Sequence, residues 1–462
     1  MQRLTMTDDK NSSEEWVISI RKAGAANMSK NFQTRKQHMR MVPEILQANK
    51  GFQKYFVPRV VSIGPYHHGN PMLQQVENLK PVIANMYVSD KVEILQELPA
   101  KILERISEVR DCYDEGSIQN YNDESLAQMM ILDGCFVLFY IRCVHYSNED
   151  DLGMKSVYIA LAQQDLFLLE NQLPYFVLKD LMDERILKKK DWMTVMRSFI
   201  GMNRVTKKER GREQEEEEEE EEEDVGVSHL LELLRKRMVD YQDSDILQFN
   251  RYTYRNIKEL MAVGIQIKPS DSGSLTGIRF HSHGSYATMA LPAIIVNNST
   301  KSKFLNLIAD EMSSDEPNEL WVTSYVCFLS KLISHPDDVK MLSSAKILDN
   351  FLGSDDEVSN LFQEIGGDLV PNPCAYADVR YDIQLYYNET LSSWLTQFRR
   401  YKTKVYRSQL MDDYFKNPWS ILALGGAILA LFFTGVQAYF QIWSSPSECE
   451  GLCNYIKTTH RI

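Results

Sequence analysis

The sequence predicts a mainly α-helical protein: one large helical domain carrying a small β-hairpin or sheet, followed by a single C-terminal transmembrane helix. Three observations predict it. Ile421 to Ile442 carries no charge and is bracketed by Trp419 and Trp443, which suits a helix crossing a hydrocarbon core of ~30 Å with a tryptophan at each interface. Several earlier segments repeat apolar residues at i, i+3, i+4 and i+7, the pattern of helices with one core-facing stripe. Strand signals are concentrated in 264–297, enough for a small sheet only.

Taken in order, residues 1–40 contain no uninterrupted apolar stretch of the ~7–15 residues that a secretory signal needs, and 1–33 are expected to be disordered. The helical domain is expected over 34–415. Val57 to Gly69 reads VPRVVSIGPYHHG. Pro58, Gly64 and Pro65 prevent a helix there, while Val60, Val61 and Ile63 give an extended, partly buried segment that ends in a Gly-Pro turn. Residues 126–180 read as apolar helices. Residues 203–226 join a basic block, RVTKKERGR, to an acidic one, EQEEEEEEEEED; like-charge runs bury no apolar surface, so a disordered insertion in a surface loop is expected.

Beyond it, Ser228 is a candidate cap for a helix reaching Asp240, with Leu230, Leu234 and Met238 on one face. Gly264 to Pro269, Leu275 to Phe280 and Leu291 to Val296 read as strands, with a Ser/Gly-rich turn at 270–274. Val322, Tyr325, Val326, Leu329, Leu332 and Ile333 form one helical stripe. Ser354 with Glu357 predicts a capping box ahead of Val358, Leu361, Phe362 and Ile365, with Gly366 as the stop. Val379 to Asp413 leads towards the membrane with few breakers. Asn417 and Pro418 then cap and start the spanning helix over 418–443, leaving 444–462 as a short tail.

The formal charge of −13 is misleading, because residues 213–224 supply eleven of the acids and leave the rest of the chain at −2. No strongly acidic or basic fold follows, and nucleic-acid binding is disfavoured by the lack of a basic stripe. The basic residues that do cluster, Arg399, Arg400, Lys402, Lys404, Arg407 and Lys416, precede the apolar span, whereas the tail has only Lys457 and Arg461 against Glu448 and Glu450. The positive-inside bias therefore places the N-terminal domain in the cytosol, anchored in the plasma membrane or an endomembrane by helix 421–442. Sequons at Asn11, Asn27, Asn297, Asn298 and Asn388 would matter only for a lumenal domain. The seven cysteines show no zinc or redox spacing: Cys135 and Cys143 read as buried small hydrophobes, and Cys449 and Cys453 either pair in a lumenal tail or stay free.

The chemistry-bearing candidates are few. His67 and His68 are two adjacent loop histidines, either a partial metal site or part of a hydrogen-bonded structural loop. His281 and His283 form a second loop pair, and the two pairs would make four ligands if they met. Asp133 in MMILDGCFVLFYI and Glu170 in DLFLLENQLPYFVL stand among apolar neighbours, so each must be paired, hydrogen-bonded or protonated. One reading makes them an acid/base pair working with His67 or His68. The other makes them partners for the 57–69 loop, through its backbone amides or Arg59, His67 or His68. No nucleophile elbow, phosphate-binding glycine loop or metal triad accompanies them, and the docking reading is preferred.

Together, VPRVVSIGPYHHG, MMILDGCFVLFY, DLFLLENQLPYFVL, LPAIIVNNSTKSKFLNLIADE, VTSYVCFL, LGSDDEVSNLF and the NPW-started span resemble the plant family known as domain of unknown function 247, in the expected order from about residue 34 to the anchor. The resemblance implies a mostly helical plant protein with a C-terminal membrane helix and no established activity or cofactor. Some grass members are implicated as pollen-side determinants of self-incompatibility. The structural motif residues are Pro58, Gly64, Pro65, Tyr66, His67, His68, Gly69, Asp133, Glu170, Asn171, Gln172 and Pro174, with no catalytic, cofactor or metal residue among them. The expected function is non-enzymatic recognition or signalling through an unknown protein partner, without nucleic acid or a small-molecule substrate. The competing expectation is a membrane-tethered enzyme built on Asp133, Glu170 and His67 or His68.

Overall fold

The structure, a computed structural model, describes residue 22 and residues 39–89, 91–207, 226–239, 255–284, 286–314, 320–392 and 418–443. The expected disordered segment 1–33, most of the acidic insertion, the basic cluster at 399–416, and the tail with Cys449 and Cys453 lie outside the described residues. The chain falls into two units, 1–385 and 386–462.

In the first unit the N-terminal half is organised around one long helix. Helices α1 (Lys80–Val88), α2 (Val92–Glu104), α5 (Tyr175–Leu181) and α6 (Lys189–Asn203) pack on α3 (Asp123–Tyr146), while α4 (Ser156–Asp165) leads into the 166–174 connection. Asn122 caps α3 by accepting from Ser125 N at 2.8 Å, Asp123 and Glu124 complement its dipole, and Ser147 ends it in the left-handed region at φ 57°. On length and composition α3 would also serve as a membrane span, but 78% of its most apolar window is buried. It is the core helix.

After α7 (Leu230–Lys236) and α8 (Ile257–Ala262) come the strands β1 (Ile265–Pro269), β2 (Arg279–Ser282), β3 (Ala287–Leu291) and β4 (Ile294–Val296). They precede α9 (Thr300–Ser313), α10 (Trp321–Leu332), α11 (Pro336–Ser344), β5 (Leu348–Asn350), α12 (Asp355–Gly366) and α13 (Ala377–Ser392). The expected small sheet exists in two parts. In the order β1-β3-β2, β3 pairs parallel with β1 (Ile265 opposite Ala287) and antiparallel with β2 as a hairpin (Ser282 opposite Ala287). Separately, β4 pairs parallel with β5.

Several expected boundaries move, each for a local reason. The run expected as one strand from Leu291 to Val296 is split by Pro292, which has no N–H for a ladder, so Leu291 closes β3 and Ile294 opens β4. The strand expected at Leu275–Phe280 starts only at Arg279, because Ser270, Ser274 and Thr276 tie the preceding segment into hydroxyl-bonded turns. That shift puts His281 in β2 rather than in a loop. His229, not Ser228, caps α7 by accepting from Glu232 N at 3.1 Å, while Ser228 N donates back to the Glu232 carboxylate at 2.6 Å. The insertion begins later than 203: Asn203 and Val205 are buried, and Thr206 bridges β4 through Ile294.

The expected stripe in α10 and the Ser354 cap of α12 are present, with Ser354 Oγ accepting from Glu357 N at 3.1 Å. Gly366, however, is not a left-handed stop; it is the last residue of α12, where α12 packs on α10, and an added Cβ would lie 2.4 Å from Ser330 Cβ and 3.2 Å from Val326 O. Gly366→Ala is therefore expected to lower stability by ~1–3 kcal/mol through overpacking, despite alanine's better helix propensity. A urea-denaturation midpoint equal to or above wild type would show that the two helices separate freely.

In the second unit, helix α14 (Pro418–Trp443) covers the charge-free segment, and its side chains from Gly425 to Gln441 are exposed apart from half-exposed Val436. Thr434 Oγ1 donates to Ala430 O at 2.7 Å. Its hydroxyl is thereby satisfied within the helix, as an apolar medium would require.

Candidate functional site

The 57–69 segment forms no strand, so its backbone amides need acceptors from elsewhere. Side chains supply them. Asp165, at the end of α4, accepts from Arg59 N at 3.0 Å, Val60 N at 2.7 Å and Val61 N at 3.1 Å. Asn171 accepts from Ile63 N at 2.7 Å and donates to Val61 O at 3.1 Å and Asp165 O at 2.9 Å. Asp133 of α3 accepts from Gly64 N at 2.8 Å. One extended segment is thus clasped by three side chains, each from a different position in the core.

Gly64 is required twice over. Its φ is +77°, and a Cβ there would sit 2.8 Å from Gln172 O. Gln172 itself donates to Leu166 O and Leu168 O, both at 2.8 Å, and accepts from Leu231 N at 3.1 Å, tying α7 to the same frame. Pro58 and Pro65 are buried, Pro174 precedes the first residue of α5, and Gly69 turns the exposed end of the segment at φ +80°.

Asp133 has a counter-ion that sequence reading missed. Lys80 is 1% exposed, and its ammonium reaches Asp133 Oδ1 at 2.6 Å, Ser62 O at 2.6 Å and Glu77 Oε1 at 2.5 Å. All three N–H donors find acceptors. Burial raises the Asp133 pKa, with the Lys80 charge and the Gly64 N–H opposing it. A signal was present: Lys80 lies in register with buried Ile83, Ala84, Tyr87 and Val88 on the inner stripe of α1.

Glu170 is anchored differently. It accepts from Val42 N at 2.9 Å and stands 3.5 Å from His67 Nε2. Burial pushes His67 down to about 4, so it is neutral near pH 7 and the contact is not an ion pair there. His68 faces Glu77 at 3.6 Å and meets the Tyr121 ring edge-on, and Tyr66 donates to Met39 O at 2.8 Å. The Arg59 guanidinium goes to Gln164 rather than to either acid. Asp133 and Glu170 share none of these partners, and among the described residues no three His, Cys, Asp or Glu side chains are grouped to hold a metal ion.

A second clasp lies along α9. Asn306 accepts from Leu169 N at 2.8 Å and donates to Tyr55 O at 2.9 Å, connecting the two halves of the first unit. Buried Asp310 faces Arg235 at 2.9 Å and His229 at 3.5 Å; burial pushes its pKa up, but His229, Arg235 and Arg40 together hold the carboxyl below its usual value. Glu311 caps α10 by accepting from Val322 N at 2.7 Å, Thr323 N at 2.8 Å and Thr323 Oγ1 at 2.7 Å.

Burial nevertheless pushes Glu311 from 4.5 up to about 7. Between these values the folded chain holds this proton while the unfolded chain has lost it, so the group's contribution to stability falls as pH rises from 4.5 to about 7. Relative to Glu311→Gln, which cannot titrate, wild-type Tm is expected to decline across that window. A pH-independent difference between the two melting curves, or one of opposite slope, would refute the assignment.

Fold and site define a helical domain whose most distinctive sequence motifs are clasps for backbone segments. The chain belongs to the DUF247 family, plant proteins of unknown function, whose model matches residues 40–433. It is similar to the UPF0481 protein At3g47200 of Arabidopsis thaliana, 24% identical over 431 residues covering 86% of this chain and 85% of the relative. It is also similar to the putative UPF0481 protein At3g02645 of the same plant, 22% identical over 529 residues covering 93% and 95% of the two chains. No solved structure matches.

Proposed function

We propose that this chain is a single-pass, C-terminally anchored membrane protein whose helical domain acts without catalysis, as a recognition or signalling module for another protein. The observation that carries the non-enzymatic reading is the commitment of the candidate acids: Asp133 to Gly64 N and Lys80, and Glu170 to Val42 N. A general acid or base must be free to exchange protons with a substrate. The exposed apolar side chains of α14 support the anchor, since water would disfavour such a surface. The domain faces the cytosol of the plasma membrane or an endomembrane in this reading. The finer role implied by the family resemblance, a pollen-side determinant of self-incompatibility, belongs to the same proposal.

Topology tests it. In plant cells the full chain is expected to resist alkaline carbonate extraction, an N-terminal tag to be protease-accessible, and glycosidase to leave its mobility unchanged. Leu429→Arg with Phe433→Arg should release the protein, because each arginine costs ~2.5–3.5 kcal/mol at the centre of a span. Extraction of the wild type by carbonate would sink the anchor. A protected, glycosylated domain would reverse the orientation.

A further inference from the structure

Of the two histidine pairs in the sequence, His67 and His68 turn to Glu170 and Glu77, whereas His281 and His283 share one arm of the β2–β3 hairpin. His281 lies in β2, and the pairing continues past Ser282, because His283 N donates to Tyr286 O at 2.8 Å. Side chains alternate across an extended strand, so those at 281 and 283 leave the same face with their Cα atoms about 7 Å apart. Both are exposed.

One ring is held in place. His283 stacks on Tyr286, 4.8 Å between centroids and 24° between planes, and its Nε2 lies 3.4 Å from Thr288 Oγ1. Thr288 is the cross-strand partner of His281, so the His283 ring leans along the hairpin towards the position of His281. When Nε2–H donates to Thr288 Oγ1, Nδ1 keeps its lone pair, the arrangement that orients a metal-ligating imidazole. The surrounding charge suits a cation. Asp378 and Asp382, one turn apart on α13, repel each other, and Asp382 is attracted to His281. Arg279, on the same face, is turned back onto Thr276 O and Ile278 O at 2.9 Å each. Among the described residues no third His, Cys, Asp or Glu side chain joins the pair within ligating reach, which leaves the remaining positions to water.

We infer that His281 and His283 form a surface site for a zinc(II) ion, each supplying one ring nitrogen at ~2.0–2.1 Å with water completing the shell. Imidazole nitrogen suits zinc, whereas calcium and magnesium take oxygen ligands. The inference does not depend on the protein-recognition reading, because the hairpin shares no residue with the clasps.

The test is calorimetric titration of the full chain in lipid nanodiscs with zinc chloride, with empty nanodiscs as blank and accessible cysteines blocked by N-ethylmaleimide. Wild type is expected to bind one zinc ion more than the double variant His281→Ala with His283→Ala. The acidic run and the other histidines are common to both chains, so their binding cancels in the comparison. Each single variant should weaken the site ~10-fold or more, since even the outer partners of metal ligands are worth that much. Calcium chloride should not distinguish wild type from the double variant. Both side chains are exposed, so the variants are expected to keep the wild-type melting temperature. Equal zinc stoichiometry and affinity in wild type and double variant would overturn the assignment. So would a single variant that binds as tightly as wild type, or a difference for calcium as large as that for zinc.

Discussion

Asp133→Ala is expected to destabilise the helical domain by ~3–5 kcal/mol, the cost of removing one partner from a buried ion pair. The substitution strands two groups. Lys80, at 1% exposure, loses its 2.6 Å contact with Asp133 Oδ1, and Gly64 N loses its acceptor at 2.8 Å. Glu77 and Ser62 O remain on the ammonium, so Lys80 keeps part of its solvation. Adding Lys80→Met is expected to recover part of the loss, because a buried unpaired charge costs more than an apolar side chain of similar length. Urea unfolding of the four members of this cycle measures the coupling. An Asp133→Ala midpoint equal to wild type would mean that the 57–69 segment does not depend on α3 for its position.

The second large effect is expected at Asp165. Its carboxylate is the acceptor for three successive amides, so Asp165→Ala leaves Arg59 N, Val60 N and Val61 N without their partner. Unsatisfied buried donors cost ~1–3 kcal/mol each. Only Val60 and Val61 carry buried side chains, so a loss of ~2–5 kcal/mol is expected overall. Asp165→Asn should retain most of the stability, because one amide oxygen can replace Oδ2, which accepts from all three. Hydrogen exchange gives a direct check: the Val60 and Val61 amides should exchange far faster in the alanine variant than in the asparagine variant. Equal protection in both would remove Asp165 from the clasp.

The same residues show how far a sequence can be read. Pro58, Gly64 and Pro65 announced a non-helical segment, and such a segment must find hydrogen-bond partners outside itself. Asp133 and Glu170, as carboxylates among apolar neighbours, announced that they were partners for something. For Asp133 the two halves meet, at Gly64 N, whereas the hydrogen bond to Glu170 comes from Val42 N, outside the segment. Asp165 and Lys80 carried weaker signals: Asp165 closes a short polar run, QQD, that reads as solvent-facing, and Lys80 precedes Pro81 at a helix start that reads as exposed.

The β region was harder. β3 is the central strand of its sheet and wholly buried, yet Ala287, Met289 and Ala290 have little strand preference. Its identity came from neighbours on both sides, and neighbours are what a local pattern omits. Gly366 was legible as a glycine at a helix end but not as a contact, since the Ser330 side chain it meets lies on another helix.

By itself, then, the sequence determined the helical class, the stripes of α10 and α12, the charge-free segment of α14 and the places where burial would strand a polar group, because periodicity and apolar context are properties of neighbouring residues. The tertiary structure alone decided which donor met which acceptor: that Asp165 rather than Asp133 or Glu170 holds the amides of 59–61, that Lys80 neutralises Asp133, and that Glu311 caps a helix eleven residues away. Hydrogen bonds and ion pairs act over about 3 Å in space and are indifferent to separation along the chain.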